Sequence, residues 1–349
     1  MATSALLTRL GIELPIIQGP MSGGGSTPEL AAAVSNAGGM GSLGLAYLTS
    51  DQIVEAIRKT RSLTSRPFAV NLFAGAWQRD NTVDPAPMLD MMAQVHATLR
   101  LPAPQLPPIP PDPFAAQLDA VLQERPPVFS FTFGIPHADD MARLRALGIA
   151  VLGTATTQRE GRMLAEAGVD GIIAQGAEAG GHRGTFAGAF EVSMVPTLSL
   201  VKQLRDGPPV IAAGGLMDGA DIKEALDHGA AAATLGTAFL VTPEAGTAQA
   251  HKNALLSAHK DTTVITRAFS GRPARGLYNE FIGSLDGRAA RILPYPLQNI
   301  LTRPMRTEAG KRNTAAYLSM WAGKGVARCR AMSAGDLVKT LVEEMQAAG

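Results

Sequence analysis

Short apolar runs alternate along the first two thirds of the chain with longer segments whose apolar residues recur at helical spacing. The runs fall at 15–18, 40–43, 68–72, 128–133, 150–153, 169–174, 210–213 and 232–235. They are apolar at most positions, which suits strands buried on both faces rather than strands with one wetted side. Several intervening segments end in a glycine just before the next run, as at Ala37-Gly38, Leu147-Gly148, Ala167-Gly168 and His228-Gly229. Glycine there closes a helix in the left-handed conformation, because it has no Cβ to clash. Helix starts are marked too: Ser26 with Glu29, Thr49 with Gln52, and Thr157 with Glu160 have capping-box spacing. Strands covered on both faces and alternating with helices require a parallel sheet, and eight such units favour an α/β fold of the (β/α)8 TIM-barrel type over an open doubly wound sheet.

Two stretches break the repeat. Between 74 and 125 the spacing lengthens around LPAPQLPPIPPDP (101–113), where each proline removes a donor and fixes φ, so this reads as an insertion after the third strand. Beyond Pro243 the strand–helix alternation stops, and 243–329 reads as a second, smaller, mainly helical domain, a lid or substrate domain beside a barrel of residues 1–242. The last segment, 330–349, carries one helical stripe of Leu337, Val338, Leu341, Val342 and Met345 after a Ser333 cap, and is expected to return to the barrel wall.

Composition narrows the class. A chain of 349 residues that is 46% apolar can bury a large core. Lys plus Arg number 31 against 30 Asp plus Glu, so no charge excess recommends nucleic acid or an anionic membrane as partner, and small molecules are expected instead. Cys329 is the sole cysteine, which excludes an internal disulfide framework and suits a reducing cytoplasm. No signal-peptide pattern and no membrane-length apolar run are apparent.

In a parallel barrel the reactive face lies where strands end. There the chain places Met21 and Ser22 in GPMSGGG (19–25), then Asn71, then QGAEAGGHRG (175–184), then Gly214-Gly215, then Gly236-Thr237. Glycine turns after the seventh and eighth runs bring bare N–H groups to the usual barrel phosphate position, which fits a mononucleotide such as FMN. Asn71 and Gln175 both donate and accept, as the pyrimidine edge of a flavin demands. His182 sits among small residues that let a planar ligand approach, and its imidazole can move a proton or bind an anion. Glu178 and Arg183 flank it. His137 could face the site, whereas His228, His251 and His259 are read as helical and without metal partners; no catalytic metal is expected. Met91-Met92 reads as apolar filling.

These residues resemble the nitronate monooxygenases, class I, through PIIQGPMSGG (15–24), AVNLF (69–73), GVDGIIAQGAEAGGHRG (168–184), PVIAAGGLMDG (209–219), LGTAFL (235–240), YPLQN (295–299) and LSMWAGKG (318–325). The resemblance implies an FMN enzyme that oxidises alkyl nitronates, such as propionate 3-nitronate, with O2 to an aldehyde or ketone and nitrite. It implies His182 as the active-site histidine. Asn71, Gln175, Gly180, Gly215, Thr234, Leu235, Gly236 and Thr237 would touch FMN, with Met21, Ser22, Gly181 and Gly214 counted beside them. Thr234 stands where relatives often carry Gln, and Lys324 where Gln is expected. Two other readings share the motifs: an FMN-dependent NAD(P)H oxidoreductase of the enoyl-ACP reductase or quinone reductase type, and a non-catalytic flavin-binding protein. A cytoplasmic monomer or homodimer is expected.

Overall fold

The computed structural model describes residues 5–75, 77 and 83–349, so the leading segment and the insertion expected over 74–125 fall partly outside the described residues. Its strands are β1 (Ile16–Gln18), β2 (Gly41–Gly44), β3 (Phe68–Phe73), β4 (Val128–Thr132), β5 (Ala150–Ala155), β6 (Gly171–Gln175), β7 (Gly181–His182), β8 (Val210–Ala213), β9 (Ala232–Leu235), β10 (Thr263–Thr266) and β11 (Ala274–Leu277). Eight of them form one parallel sheet in the order β1-β9-β8-β6-β5-β4-β3-β2. The sheet curls until its edges meet: Ile17 bridges Met40, Gln18 N donates to Met40 O at 2.9 Å, and Met40 N donates to Ile16 O at 2.9 Å. The result is a nearly closed barrel, as the eight apolar runs suggest.

Successive strand residues point to opposite faces, and the two faces feed two cores. Ile17, Ala69, Ala150, Leu152, Ile211 and Ala232 pack inside, where Leu6, Leu7 and Leu10 of the helix Ala5–Leu10 join them. Ile16, Val70, Phe129, Val151 and Ala212 face the helices. Each fully buried leucine of the Ala5–Leu10 helix contributes about 1.5–3 kcal/mol.

The helix signals mostly hold. Thr49 and Gln52 form a complete capping box, and Gly38, Gly148, Gly168 and Gly229 all take positive φ. Two caps differ from the sequence reading. Thr27, not Ser26, caps Pro28–Asn36, because Ser26 Oγ instead accepts Met21 N–H at 2.8 Å and ties the first loop. Thr157 caps its helix, but the Glu160 carboxylate turns away to accept N–H groups of Thr156, Phe186 and Ala187.

The long stretch after β3 holds two helices with different neighbours. Phe114–Glu124 packs on β3 and on Ser50–Leu63, in the barrel's helix layer. Ala86–Thr98 instead supplies Met88, Met91 and Met92 to a separate core with Phe269, Phe281, Leu297 and Met305. Beyond β9, β10 and β11 form an antiparallel hairpin, and β11 pairs in turn with β7, setting Ala274 opposite His182 and Arg275 opposite Gly181. The helix Ala334–Ala347 packs against Pro28–Asn36 and Gly219–Asp227, on the barrel wall. No helix of the described residues is long and apolar enough to cross a membrane.

Candidate active site

A cavity of about 630 Å³ opens at the C-terminal ends of the barrel strands, within the size range of cofactor and substrate sites. Met21, Ser22, Asn71, Gln175, Gly180, Gly181, His182, Gly214, Gly215, Thr234, Gly236 and Thr237 all line it. Leu235 does not: its side chain is 1% exposed in the helix-facing core, and only its carbonyl reaches toward the site, accepting Gly19 N–H at 2.9 Å.

The sixth strand's loop is held rigid by its own polar groups. Gln175 Nε2 donates to His182 O at 2.8 Å, and its Oε1 accepts Gly184 N–H at 2.7 Å, so this amide braces the loop that carries the histidine. Arg183 is 2% exposed and donates to the carbonyls of Gly176, Gln175 and Ser193. Glu178 accepts from Thr197 N at 2.9 Å and Thr197 Oγ1 at 2.7 Å. Both charged flanks of His182 are therefore framework groups. Arg275 adds a clamp from β11 by donating to Ala177 O.

His182 lies where barrel and C-terminal segment meet. Its Nε2 is 2.7 Å from Ser270 Oγ, and its ring sits 5.4 Å from Trp321, 6.1 Å from Phe133 and 6.4 Å from Phe73. Burial, reinforced by the Arg272 and Arg306 charges, pushes the imidazole down to about 3, so at neutral pH it is uncharged. Arg272 lies 4.0 Å over the Phe133 ring. Arg306 donates to Asn299 O and Oδ1 at 2.7 and 2.8 Å; burial lowers it to about 10, and it keeps its charge. Arg303 and Arg306 are the charged side chains lining the cavity, and no carboxylate lines it among the described residues.

Several features leave room for a ligand. A Cβ on Gly236 would meet nothing within 4 Å, although its φ of −104° would suit any residue, so space rather than backbone explains this glycine. Asn71 Nδ2 donates to Ser130 Oγ at 2.9 Å, while its Oδ1 accepts from none of the described residues. Thr234 Oγ1, Thr247 Oγ1 and His251 Nε2 are buried in the cavity wall without partners among the described residues.

Other positions were not visible as site residues in the sequence. Tyr47 obeys the strand-end rule and could have been found by it. Ser270, Arg303, Arg306 and Trp321 come from distant segments with no local mark. His251 is also a lining residue, on the helix Gln249–Leu256, whereas His259 lies past that helix's end rather than on a helix, and His137 is exposed. Lys324 is exposed; its N–H donates to Glu178 O at 2.9 Å.

The family model described as nitronate monooxygenase matches residues 3–344. A nitronate monooxygenase of Pseudomonas aeruginosa is 41% identical over 348 residues, covering 97% of each chain. A probable nitronate monooxygenase of Staphylococcus saprophyticus is 37% identical over 342 residues, covering 96% of this chain and 95% of the relative. Among solved structures, nitroalkane oxidase from Streptomyces ansochromogenes aligns with a TM-score of 0.90 at 40% identity, covering 99% of both chains. FabK from Thermotoga maritima aligns at 0.78 and 27% identity, covering 99% of this chain and 97% of that one.

Proposed function

The chain belongs to the nitronate monooxygenase family, and from that premise we propose that it uses FMN and O2 to convert alkyl nitronates, propionate 3-nitronate among them, to an aldehyde or ketone and nitrite. The observation that carries this reading is a cavity whose charged lining, among the described residues, is Arg303 and Arg306, beside a histidine that stays neutral. A nitronate is an anion that needs no further deprotonation. Positive charge attracts it, and a weakly basic imidazole can orient it by hydrogen bonding without having to remove a proton first. The same imidazole is a poor base for a neutral nitroalkane.

The residues fit FMN. The turns at Gly214, Gly215, Gly236 and Thr237 would take its phosphate, with the space at Gly236 left for ligand atoms. Asn71 Oδ1 is open to a ring N–H, Gln175 holds the adjoining loop, and Met21, Ser22, Gly180, Gly181 and Thr234 complete the binding set, while Leu235 contributes only by holding Gly19 through its carbonyl. When bound, a flavin would supply an electron acceptor for the nitronate. The protein's part is to bind the anion through Arg303 and Arg306, hold His182 against Ser270, and exclude water with Phe73, Phe133 and Trp321.

We assign 243–329 as the substrate-side domain of a cytoplasmic monomer or homodimer whose partners are a small nitronate and O2. Paired oxygen-uptake and nitrite assays with propionate 3-nitronate test the activity: rapid uptake, nitrite release and little NAD(P)H oxidation are expected. NAD(P)H consumption without nitrite would replace it with the reductase reading, and a yellow, inert protein with the flavin-carrier reading.

A further inference from the structure

The segment GKGVARCR (323–330) runs along the outside of the strand-end turns that face the proposed phosphate position. Gly323 N donates to Thr237 Oγ1 at 2.9 Å, and Lys324 N to Glu178 O at 2.9 Å. A Cβ on Gly325 would stand 2.5 Å from Gly215 O and 2.4 Å from Met217 Cγ, so glycine here lets the segment lie directly on the turn after β8. Arg328 Nη2 donates to Gly215 O at 3.2 Å, and Arg330 Nη2 to Met217 O at 3.0 Å.

Fixing a carbonyl fixes its peptide plane. The Gly215–Leu216 bond is trans, so the Leu216 N–H points away from the oxygen that Arg328 holds, and Leu216 lines the cavity. The N–H groups of Gly215 and Leu216 donate to none of the described residues. Open amides on the face of a turn opposite its arginine suit an anion in the cavity. Arg328 also pairs with Asp218 at 2.6 Å and Asp221 at 2.8 Å, the cap and first-turn acid of the helix Gly219–Asp227. Asp221 Oδ2 in turn accepts Met217 N–H at 2.7 Å. Two carboxylates directly behind this turn would repel a phosphate, and the guanidinium that bridges them offsets the repulsion. As an ion pair alone it would add little to stability, because the Arg328 side chain is 45% exposed.

We propose that Arg328 is a positioning residue for the cofactor phosphate, acting through the Gly215–Leu216 peptide and by neutralising Asp218 and Asp221. It thereby sets a preference for phosphorylated over unphosphorylated flavin, although it stands outside the cavity. This rests on the FMN reading, whose own failure shows in the unsubstituted protein.

Full-length apoprotein titrated by flavin fluorescence with FMN and with riboflavin, which lacks only the phosphate, provides the test. The unsubstituted protein should bind FMN more tightly than riboflavin. Arg328→Gln should raise the FMN dissociation constant about tenfold, the size of a charge-assisted contact, and leave riboflavin within about twofold. The melting temperature of the apoprotein should fall by no more than about 3 °C. Adding Asp218→Asn should recover much of the lost FMN affinity, because asparagine caps a helix as well as aspartate does and one repelling charge is gone. Arg330→Gln should weaken FMN in the same selective way, a second measurement of the turn should Arg328→Gln fold poorly. An unchanged FMN constant in Arg328→Gln, or an equal loss for both flavins, would overturn the assignment, and no recovery with Asp218→Asn would overturn its charge-neutralising part. An unsubstituted protein that holds riboflavin as tightly as FMN would refute the phosphate position itself.

Discussion

The cavity wall built from barrel turns offers glycines, hydroxyls and backbone amides, whereas the wall built from 243–329 offers Ser270, Arg303, Arg306, Trp321 and His251. The first is uncharged and also carries the rings of Tyr47, Phe73 and Phe133. The second is cationic. A ligand group that must approach backbone closely, such as a phosphate, belongs against the first wall; an anion recognised by charge and shape belongs against the second. His182 sits at their junction, carried by a barrel loop yet paired through β7 with β11 and through its ring with Ser270.

The sharpest way to break this division is at the junction. Replacing His182 with Asn or Ala should lower nitronate turnover by about two to four orders of magnitude while flavin absorbance is retained; undiminished turnover would make the histidine structural.

The next effect separates two kinds of glycine on the barrel wall. Gly236→Val should weaken FMN binding by roughly a hundredfold, since the side chain enters ligand space, with little change in the melting temperature of the apoprotein. Gly180→Ala should act first on stability. Its Cβ would stand 2.6 Å from Ala322 C and Gly323 N, so urea titration should show a loss of about 1–3 kcal/mol. If both variants merely unfold the protein, the open space at Gly236 is not reserved for a ligand.

On the added wall, Ser270→Ala should reduce turnover by up to about tenfold, the value of one neutral hydrogen bond, without loss of flavin. Rescue by Ser270→Thr would tie the effect to the hydroxyl.

The smallest effect concerns acid stability. His182 and His251 are pushed down to about 3 and about 4, in both cases first by burial. Between those values and the ordinary 6.5 the unfolded chain binds more protons, so stability is complete above pH 6.5 and falls as pH drops toward 4. The unfolding free energy from urea titrations should fall over that window by about 1–2 kcal/mol per histidine down to pH 5. His251→Gln should flatten the slope; an unaltered slope would mean His251 titrates normally.

The barrel was readable because its strands are apolar on both faces, and the observed strands lie within about two residues of the apolar runs at 15–18 through 232–235. The glycine turns were readable for the same local reason. Ser270 was not, because it meets His182 across 88 positions of chain and no spacing rule spans that distance. Ser26 was misread as a cap because Thr27 carries the same chemistry one residue later and the fold drew Ser26 into the first loop. The roles of Gln175, Glu178 and Arg183 were equally hidden: polar residues beside a reactive histidine look alike in a string of letters whether they face a ligand or brace a loop.

What the residues alone decided was periodicity: which segments are strands, where helices stop, and that glycine-rich turns and one imidazole share an end of the barrel. Those properties follow from near-neighbour sterics and from burial on two faces, which are written locally. Only the folded chain decided that 243–329 would lay a hairpin along the histidine loop and bring two arginines and a tryptophan to the same cavity. Such contacts depend on how distant surfaces fit together, and no short-range pattern encodes that fit.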